Sequence, residues 1–228
     1  MSLMKSYTVN YSYISEFEKN FDYKLTTKWM HENWITSLYL INIYIIVIFS
    51  GKQLMKNRDP FKLRLPLVVW NLFLAIFSIT GTLRLLPEIV YILREQGLVE
   101  SVCNNGYITR VSVSSFWSWI FTLSKLIELG DTVFIVLRKQ QLIFLHWYHH
   151  ITVLVFTWYI YGEIGSIGRW YQFNNYCVHS LMYSYYAFKA MNIKIPRFIA
   201  VFITSSQIIQ MIFGFSITLY AFNKIFAK

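Results

Sequence analysis

Six apolar runs, each close to membrane-spanning length, constrain this chain more than any other feature. They cover residues 35–50, 65–86, 115–137, 142–161, 170–191 and 198–222. A helix needs about 20 mostly apolar residues to cross a bilayer, and only helices and closed barrels satisfy their backbone hydrogen bonds in lipid. The sequence therefore predicts an all-α fold, a polytopic membrane bundle of six transmembrane helices. We expect a luminal N-terminal segment over residues 1–31 and a single transmembrane domain over residues 32–228.

The distribution of basic residues predicts the orientation of the bundle. The formal net charge is +10, but Lys and Arg lie in short clusters between the apolar runs, which favours membrane flanks over a nucleic-acid surface. The connections after the first, third and fifth runs hold ten Lys and Arg residues, so we expect those connections to be cytosolic. The N-terminus is then luminal, together with Asn10, which begins the sequon Asn10-Tyr11-Ser12.

Three histidines lie close together at the start of the fourth run. His146, His149 and His150 have the spacing i, i+3 and i+4, which places them on one face of a helix. Such a cluster suits metal ligation, or acid, base and nucleophile work by neutral imidazole. The chain has five histidines in all, and His31 precedes the first run. That count argues against a di-iron oxygenase, which needs a larger set of imidazoles.

Polar residues also follow one stripe of the third run. Lys125, Glu128, Asp131 and Thr132 have the spacing i, i+3, i+6 and i+7. Charged side chains inside a membrane helix usually face the bundle interior. One interpretation is a structural Lys125–Glu128 salt bridge that ties helices together, and the other is a set that orients catalytic groups. The short 138–141 connection makes the third and fourth helices antiparallel neighbours, so we expect this stripe near the histidines, in a site open to the cytosol.

The fifth and sixth runs carry polar stripes of their own. Asn175, His179, Tyr183 and Tyr186 share one face of the fifth run. The sixth run repeats polar residues at three-residue steps, where interhelical hydrogen bonding is a sufficient explanation. These residues are Thr204, Gln207 and Gln210.

Together these motifs resemble the ELOVL/ELO fatty-acid elongases. The matching motifs are Lys125-x-x-Glu128-x-x-Asp131-Thr132, His146-x-x-His149-His150, Asn175-x-x-Val178-His179-x-x-Met182-Tyr183-x-Tyr185-Tyr186 and Thr204-x-x-Gln207-x-x-Gln210. The likeness runs from about residue 17 to residue 222 and includes 57–71 (NRDPFKLRLPLVVWN) and 145–154 (LHWYHHITVL). It is closest to the branch that acts on saturated and monounsaturated long-chain acyl groups. The family pattern has seven spans, so we expect this six-run domain to be C-terminally short.

The resemblance implies a 3-ketoacyl-CoA synthase, an acyltransferase of the endoplasmic reticulum membrane. It would condense long-chain acyl-CoA with malonyl-CoA and release CO2 and CoA, with no cofactor beyond these substrates. Other implied partners are membrane lipid, further enzymes of the elongation cycle and a second copy of the chain. Chain-length preference, oligomeric state and the identity of the nucleophile stay open.

The resemblance also implies roles for individual residues. We expect the acyl group on His149 and/or His179, while His146, His150 and Asn175 position or polarise the malonyl group. The supporting residues are Lys125, Glu128, Asp131, Tyr183, Tyr186, Gln207 and Gln210. The candidates for CoA phosphates, which membrane topology alone also explains, are Arg138, Lys139, Lys194 and Arg197.

Two alternatives remain beside the condensing enzyme. One is a membrane bundle that binds acyl chains without turnover, because a short domain could leave the acyl tunnel incomplete and leave Cys103 without a partner. The other is a metal-dependent oxygenase built on the histidine cluster.

Overall fold

The structure is a computed structural model that describes residues 8–226, with side chains described up to residue 224. Every regular element in that range is helical, which confirms the predicted all-α class. The helices are α1 (Glu16–Lys19), α2 (Tyr23–Asn33), α3 (Thr36–Leu54), α4 (Arg64–Glu95), α5 (Gly97–Cys103), α6 (Gly106–Thr109), α7 (Ser112–Ile127), α8 (Gly130–Leu137), α9 (Phe144–Gly162), α10 (Gly168–Ala190) and α11 (Arg197–Phe226). The ends of the predicted N-terminal segment and transmembrane domain, residues 1–7 and 227–228, lie outside the described residues.

Each of the six apolar runs coincides with long helical structure, as expected for a polytopic membrane protein. Three of these helices are long and apolar enough to cross a membrane by length and composition, namely Thr36–Leu54, Arg64–Glu95 and Arg197–Lys224. Their exposed residues are large and apolar, such as Ile46, Leu65 and Ile209, which suits contact with lipid. Of the remaining spans, the third is interrupted, the fourth carries the histidine cluster, and the fifth carries buried polar residues such as Gln172 and Asn175.

The third run is not one continuous α-helix, and this part of the prediction was wrong. α7 ends at Ile127 and α8 begins at Gly130. At the junction, the amides of Leu129, Asp131 and Thr132 bond to carbonyl oxygens three residues earlier, at 3.3, 3.1 and 3.2 Å. This is the tighter 3₁₀ pattern. The junction lies within the polar stripe. Lys125 is therefore on α7, Glu128 is in the junction, and Asp131 and Thr132 are on α8.

The helix of the second apolar run extends past residue 86, and the sequence indicates its continuation towards Leu93. α4 ends at Glu95, so Glu88 lies inside the helix, where it is buried. Its carboxylate accepts from Nε of the buried Arg169, at 3.0 Å. Cys103 is the last residue of α5. The ion pair between Glu88 and Arg169 joins residues that are far apart in the sequence, so a local sequence window does not reveal it.

The packing of α4 against α10 is the most extensive helix contact of the bundle. Gly81 makes the close approach possible, because a Cβ there would overlap the ring of Tyr176. Small residues at such crossings let membrane helices approach closely. This packing fixes the position of α10, which carries Asn175 and His179.

The N-terminal segment is docked onto the bundle. The boundary predicted after residue 31 falls inside α2, which packs against α7 and α9. On α1, the carboxylate of Glu18 accepts from Arg84 Nε at 2.7 Å and from Trp117 Nε1 at 2.7 Å. Burial alone would raise the pKa of Glu18, but hydrogen bonds from Arg84, Ser15 and Trp117 lower it to about 2. Asn10, the sequon residue, is exposed.

Candidate active site

Four imidazoles from two helices line one cavity. The cavity has a volume of about 480 Å³, and its walls include His146, His149 and His150 of α9 together with His179 of α10. The acidic side chains of Glu128 and Asp131 also line the cavity. Its mouth lies where α8 and α10 end, because Arg138, Gln140 and Lys189 also line it. The structure thus brings together the histidines that the sequence placed on separate helices.

A buried charge network stands behind His179. Lys125 and Glu128 are only 3% and 4% exposed. Lys125 Nζ donates to Glu128 Oε1 at 2.7 Å and to Asn175 Oδ1 at 2.7 Å. Ser124 Oγ donates to the same Glu128 oxygen at 3.1 Å. Each member of the ion pair therefore has a further hydrogen-bond partner, Asn175 for Lys125 and Ser124 for Glu128, which helps to stabilise a charge pair in a dry interior.

The same network sets the orientation of the His179 ring. Since the Asn175 amide oxygen accepts from Lys125, its amide nitrogen faces His179 Nε2, at 3.1 Å. That ring nitrogen is then an acceptor, and the ring proton belongs on Nδ1. Nδ1 faces Glu128 Oε1 at 3.8 Å. Lys125 and Asn175 do not line the cavity, and they act on it through His179.

Asp131 orients a second wall of the cavity. Its carboxylate accepts from Trp70 Nε1 at 2.6 Å and from Tyr183 OH at 2.7 Å. The Tyr183 ring meets His179 edge-on, with ring centroids 5.2 Å apart. Gly130 makes room for the indole, because a Cβ at that position would lie 2.7 Å from the Trp70 ring. Trp70 was not among the predicted site residues, because an aromatic residue in an apolar run is indistinguishable from a packing residue.

The histidines of α9 differ in their partners. His146 Nε2 lies 3.0 Å from Thr132 Oγ1, which in turn lies 2.7 Å from Tyr44 OH. In the part of the chain that the structure describes, no protein group hydrogen-bonds a ring nitrogen of His149 or His150. The ring centroids of His149 and His150 lie 6.0 Å apart. These two imidazoles are available to a bound substrate.

The other predicted site residues are divided between different surroundings. Tyr186 and Gln207 line the cavity, and Gln207 Nε2 contacts Met182 Sδ at 3.1 Å. Gln210 does not line it.

The four basic residues expected at CoA phosphates are also separated. Arg138 lines the cavity, Lys139 lines a different cleft, and Lys194 and Arg197 line neither. Lys189, which the motifs did not single out, lines the cavity instead. Within residues 8–226, no group of three or more His, Cys, Asp and Glu side chains is arranged to hold a metal ion.

Comparison with known proteins gives consistent matches over most of the chain. Residues 29–228 match the ELO: GNS1/SUR4 family. The chain is 56% identical over 216 residues to very long chain fatty acid elongase 6 of Drosophila melanogaster, covering 95% of this chain and 68% of that protein. It is 52% identical over 199 residues to very long chain fatty acid elongase 6 of Homo sapiens, covering 87% and 75%. It is 46% identical over 207 residues to putative fatty acid elongase 3 of Caenorhabditis elegans, covering 90% and 64%. With a family match over nearly its whole length and relatives at this identity, the chain belongs to the ELO: GNS1/SUR4 family.

Proposed function

We propose that this chain catalyses the condensing step of fatty-acid elongation, as a very-long-chain 3-oxoacyl-CoA synthase. It joins long-chain acyl-CoA to malonyl-CoA and forms a 3-ketoacyl-CoA two carbons longer, CO2 and CoA. The names of its relatives support the substrate class. The observation that carries the proposal is the single cavity in which imidazoles of α9 and α10 meet beside the Lys125–Glu128 pair.

In the first step, an imidazole nitrogen attacks the thioester carbonyl of acyl-CoA. A C–N bond forms, the C–S bond breaks, and the CoA thiolate leaves with the proton that the imidazole gives up. His149 is the better-placed of the two predicted nucleophiles, since no protein group occupies its ring nitrogens within the described residues. The lone pair of His179 Nε2 accepts from Asn175, which suits a ring that positions or polarises a substrate.

In the second step, malonyl-CoA loses CO2 and its enolate carbon attacks the acyl carbonyl. The new C–C bond forms, the C–N bond to the imidazole breaks, and the leaving imidazolate takes up one proton from water, which restores the neutral histidine. His146 and His150 lie next to each other, with ring centroids 4.6 Å apart, and in this proposal they bind the malonyl group and stabilise the enolate. The reaction uses only its two CoA substrates and needs no metal or other cofactor.

The mouth of the cavity supports a binding site for the CoA part of both substrates. Arg138 and Lys189 are the cations that line it, so they are the candidates for the phosphates. In the proposed orientation, this mouth faces the cytosol and the protein lies in the endoplasmic reticulum membrane.

The test is an elongation assay on purified protein in lipid nanodiscs. Radiolabelled malonyl-CoA and long-chain acyl-CoA of several lengths should give labelled 3-ketoacyl-CoA, with activity lost at least a hundredfold in His149→Ala and His179→Ala. His31→Ala is the matched control, because His31 lies outside the cavity and pairs with Glu163. Labelled product at wild-type level in both cavity variants would overturn the proposal.

A further inference from the structure

A second cleft lies beside the catalytic cavity and carries a concentrated positive charge. It has a volume of about 600 Å³, and its cationic wall consists of Lys52, Lys56 and Lys139. No carboxylate is among the residues that line it. Its floor is apolar and is made by Phe49, Met55, Val136 and Leu142. A cleft with ammonium groups above an apolar floor suits an amphiphile with an anionic head.

The cleft is held in shape by contacts between the two segments that form it. The amide of Phe61 donates to the carbonyl oxygen of Leu137 at 3.0 Å. Lys139 Nζ donates to the carbonyl oxygens of Lys56 and Arg58, at 3.2 and 3.1 Å. The connection after α3 is thus fastened to the end of α8. These contacts hold the backbone that carries the lysines in place, and the ammonium group of Lys139 itself joins the two segments.

With α3 crossing the membrane, we expect the cleft at the depth of the bilayer headgroups. Lys52 lies in the last turn of α3, one of the candidate membrane helices. Phe49, one turn earlier, is 44% exposed and packs edge-on against Trp147, with ring centroids 5.7 Å apart. Trp side chains such as that of Trp147 are enriched at the membrane interface. In this placement the apolar residues of the cleft border the exposed face of α3, and the ammonium groups are expected at the level of lipid phosphates.

We propose that this cleft binds the phosphate headgroup of an anionic membrane lipid, with the acyl chains lying along the exposed face of α3. The phosphates of CoA share the same chemistry. The lipid is the better fit, because the cleft opens beside the lipid-facing helix and is lined by different lysines from those at the mouth of the catalytic cavity. Gln140 lines both cavities, so a bound headgroup would lie next to the catalytic mouth. This inference does not depend on the proposed reaction.

The test is lipid retention by purified protein. The protein is placed in phosphatidylcholine nanodiscs that contain a minor fraction of phosphatidic acid, and the phosphatidic acid retained after detergent extraction is counted by native mass spectrometry. The double variant Lys52→Gln/Lys56→Gln should retain roughly tenfold less than wild type, since each ammonium near an anionic surface adds substantially to binding. The matched control is Lys62→Gln/Lys194→Gln, which removes the same charge from exposed lysines that line neither cavity and should retain lipid as wild type does.

Three outcomes would overturn the inference. Wild type could retain no more phosphatidic acid than phosphatidylcholine, or both double variants could lose lipid equally, which would indicate interfacial charge alone. In a separate arm, soluble CoA could bind in nanodiscs of pure phosphatidylcholine and lose affinity in Lys52→Gln/Lys56→Gln, which would assign the cleft to CoA. Elongation in pure phosphatidylcholine is measured alongside, so a failure of the proposed reaction is distinguished from a failure of the lipid site.

Discussion

Gly130 lies where the ring of Trp70 meets the start of α8. A methyl group there would stand 2.7 Å from the indole, so Gly130→Ala should displace Trp70 and break its hydrogen bond to Asp131. Asp131 would then hold Tyr183, and through it His179, less firmly. We expect kcat/KM for elongation to fall roughly ten- to a hundredfold, because small misplacements of reacting groups are costly.

The control for this substitution is Gly214→Ala. A Cβ at Gly214 would lie 2.9 Å from the Tyr171 ring, so it introduces a similar overlap between two helices outside the cavity. Its elongation rate should stay near that of wild type. If both variants lose activity equally, general destabilisation explains the loss and the Trp70–Asp131–Tyr183 chain has no separate role.

The sequence predicted several of the polar residues that line the cavity. Glu128, Asp131 and all four predicted imidazoles line the cavity. They could be predicted because such side chains are rare in membrane helices and because their spacing reveals a shared face. Trp70 and Tyr44 were missed, since aromatic residues are ordinary in apolar runs and only their partners, Asp131 and Thr132, distinguish them. The sequence also could not predict that Arg138 and Lys139 line different cavities, because adjacent residues at a helix end can face different ways.

Among the elements, α1 offers the sharpest test, because it is held by one buried carboxylate. The pKa of Glu18 is about 2 in the folded protein against an ordinary value of 4.5. A lowered pKa contributes stability that is complete above about pH 4.5 and is lost as the pH falls towards 2. Glu18→Gln should therefore lower the free energy of unfolding by about 3 kcal/mol at neutral pH, and the difference from wild type should shrink below pH 4.5.

Thermal unfolding in detergent at a series of pH values measures this difference. Glu16→Gln is the control, since Glu16 is exposed on the same helix and its carboxylate accepts from the nearby Asn20. If the difference in stability between wild type and Glu18→Gln stays constant down to pH 3, the ionised carboxylate and its contacts with Arg84 and Trp117 are not the cause of the destabilisation.

The sequence predicted where the long helices lie, but it did not predict that the third one is interrupted. Apolar runs of membrane-spanning length located every long helix, because burial in lipid leaves the backbone no alternative. The break between α7 and α8 lies where Gly130 contacts Trp70, a contact between residues that are far apart in sequence. Within the last part of α4, the side chain of Arg169 pairs with Glu88, another contact that the local sequence does not show.

For the whole molecule, the basic connections predict an orientation in the membrane, and that orientation predicts the chemistry of the two ends. Protein made in the presence of sealed microsomes should be glycosylated at Asn10, and Asn10→Gln should abolish the mass shift that a glycosidase removes. Cys103 is exposed and lies on the predicted luminal side. It should react with a membrane-impermeant maleimide only after the vesicles are permeabilised, with Cys103→Ser as the control.

The opposite result would show that the orientation in the membrane is the reverse of the predicted one. Labelling of Cys103 in sealed vesicles, together with no glycosylation of Asn10, would place the mouth of the catalytic cavity on the luminal side. The cytosolic supply of CoA substrates would then be incompatible with the proposed reaction.

The central claim is that imidazoles from two helices meet in one cavity and accept an acyl group from CoA there. The most direct measurement is to incubate the purified protein with long-chain acyl-CoA alone, quantify released CoA and map the acylated residue by mass spectrometry. We expect about one CoA released per chain, an acyl group on His149 or His179, and loss of that group when malonyl-CoA is added. A preparation that makes 3-ketoacyl-CoA, yet releases no CoA and carries no acyl-histidine before malonyl-CoA arrives, would contradict it.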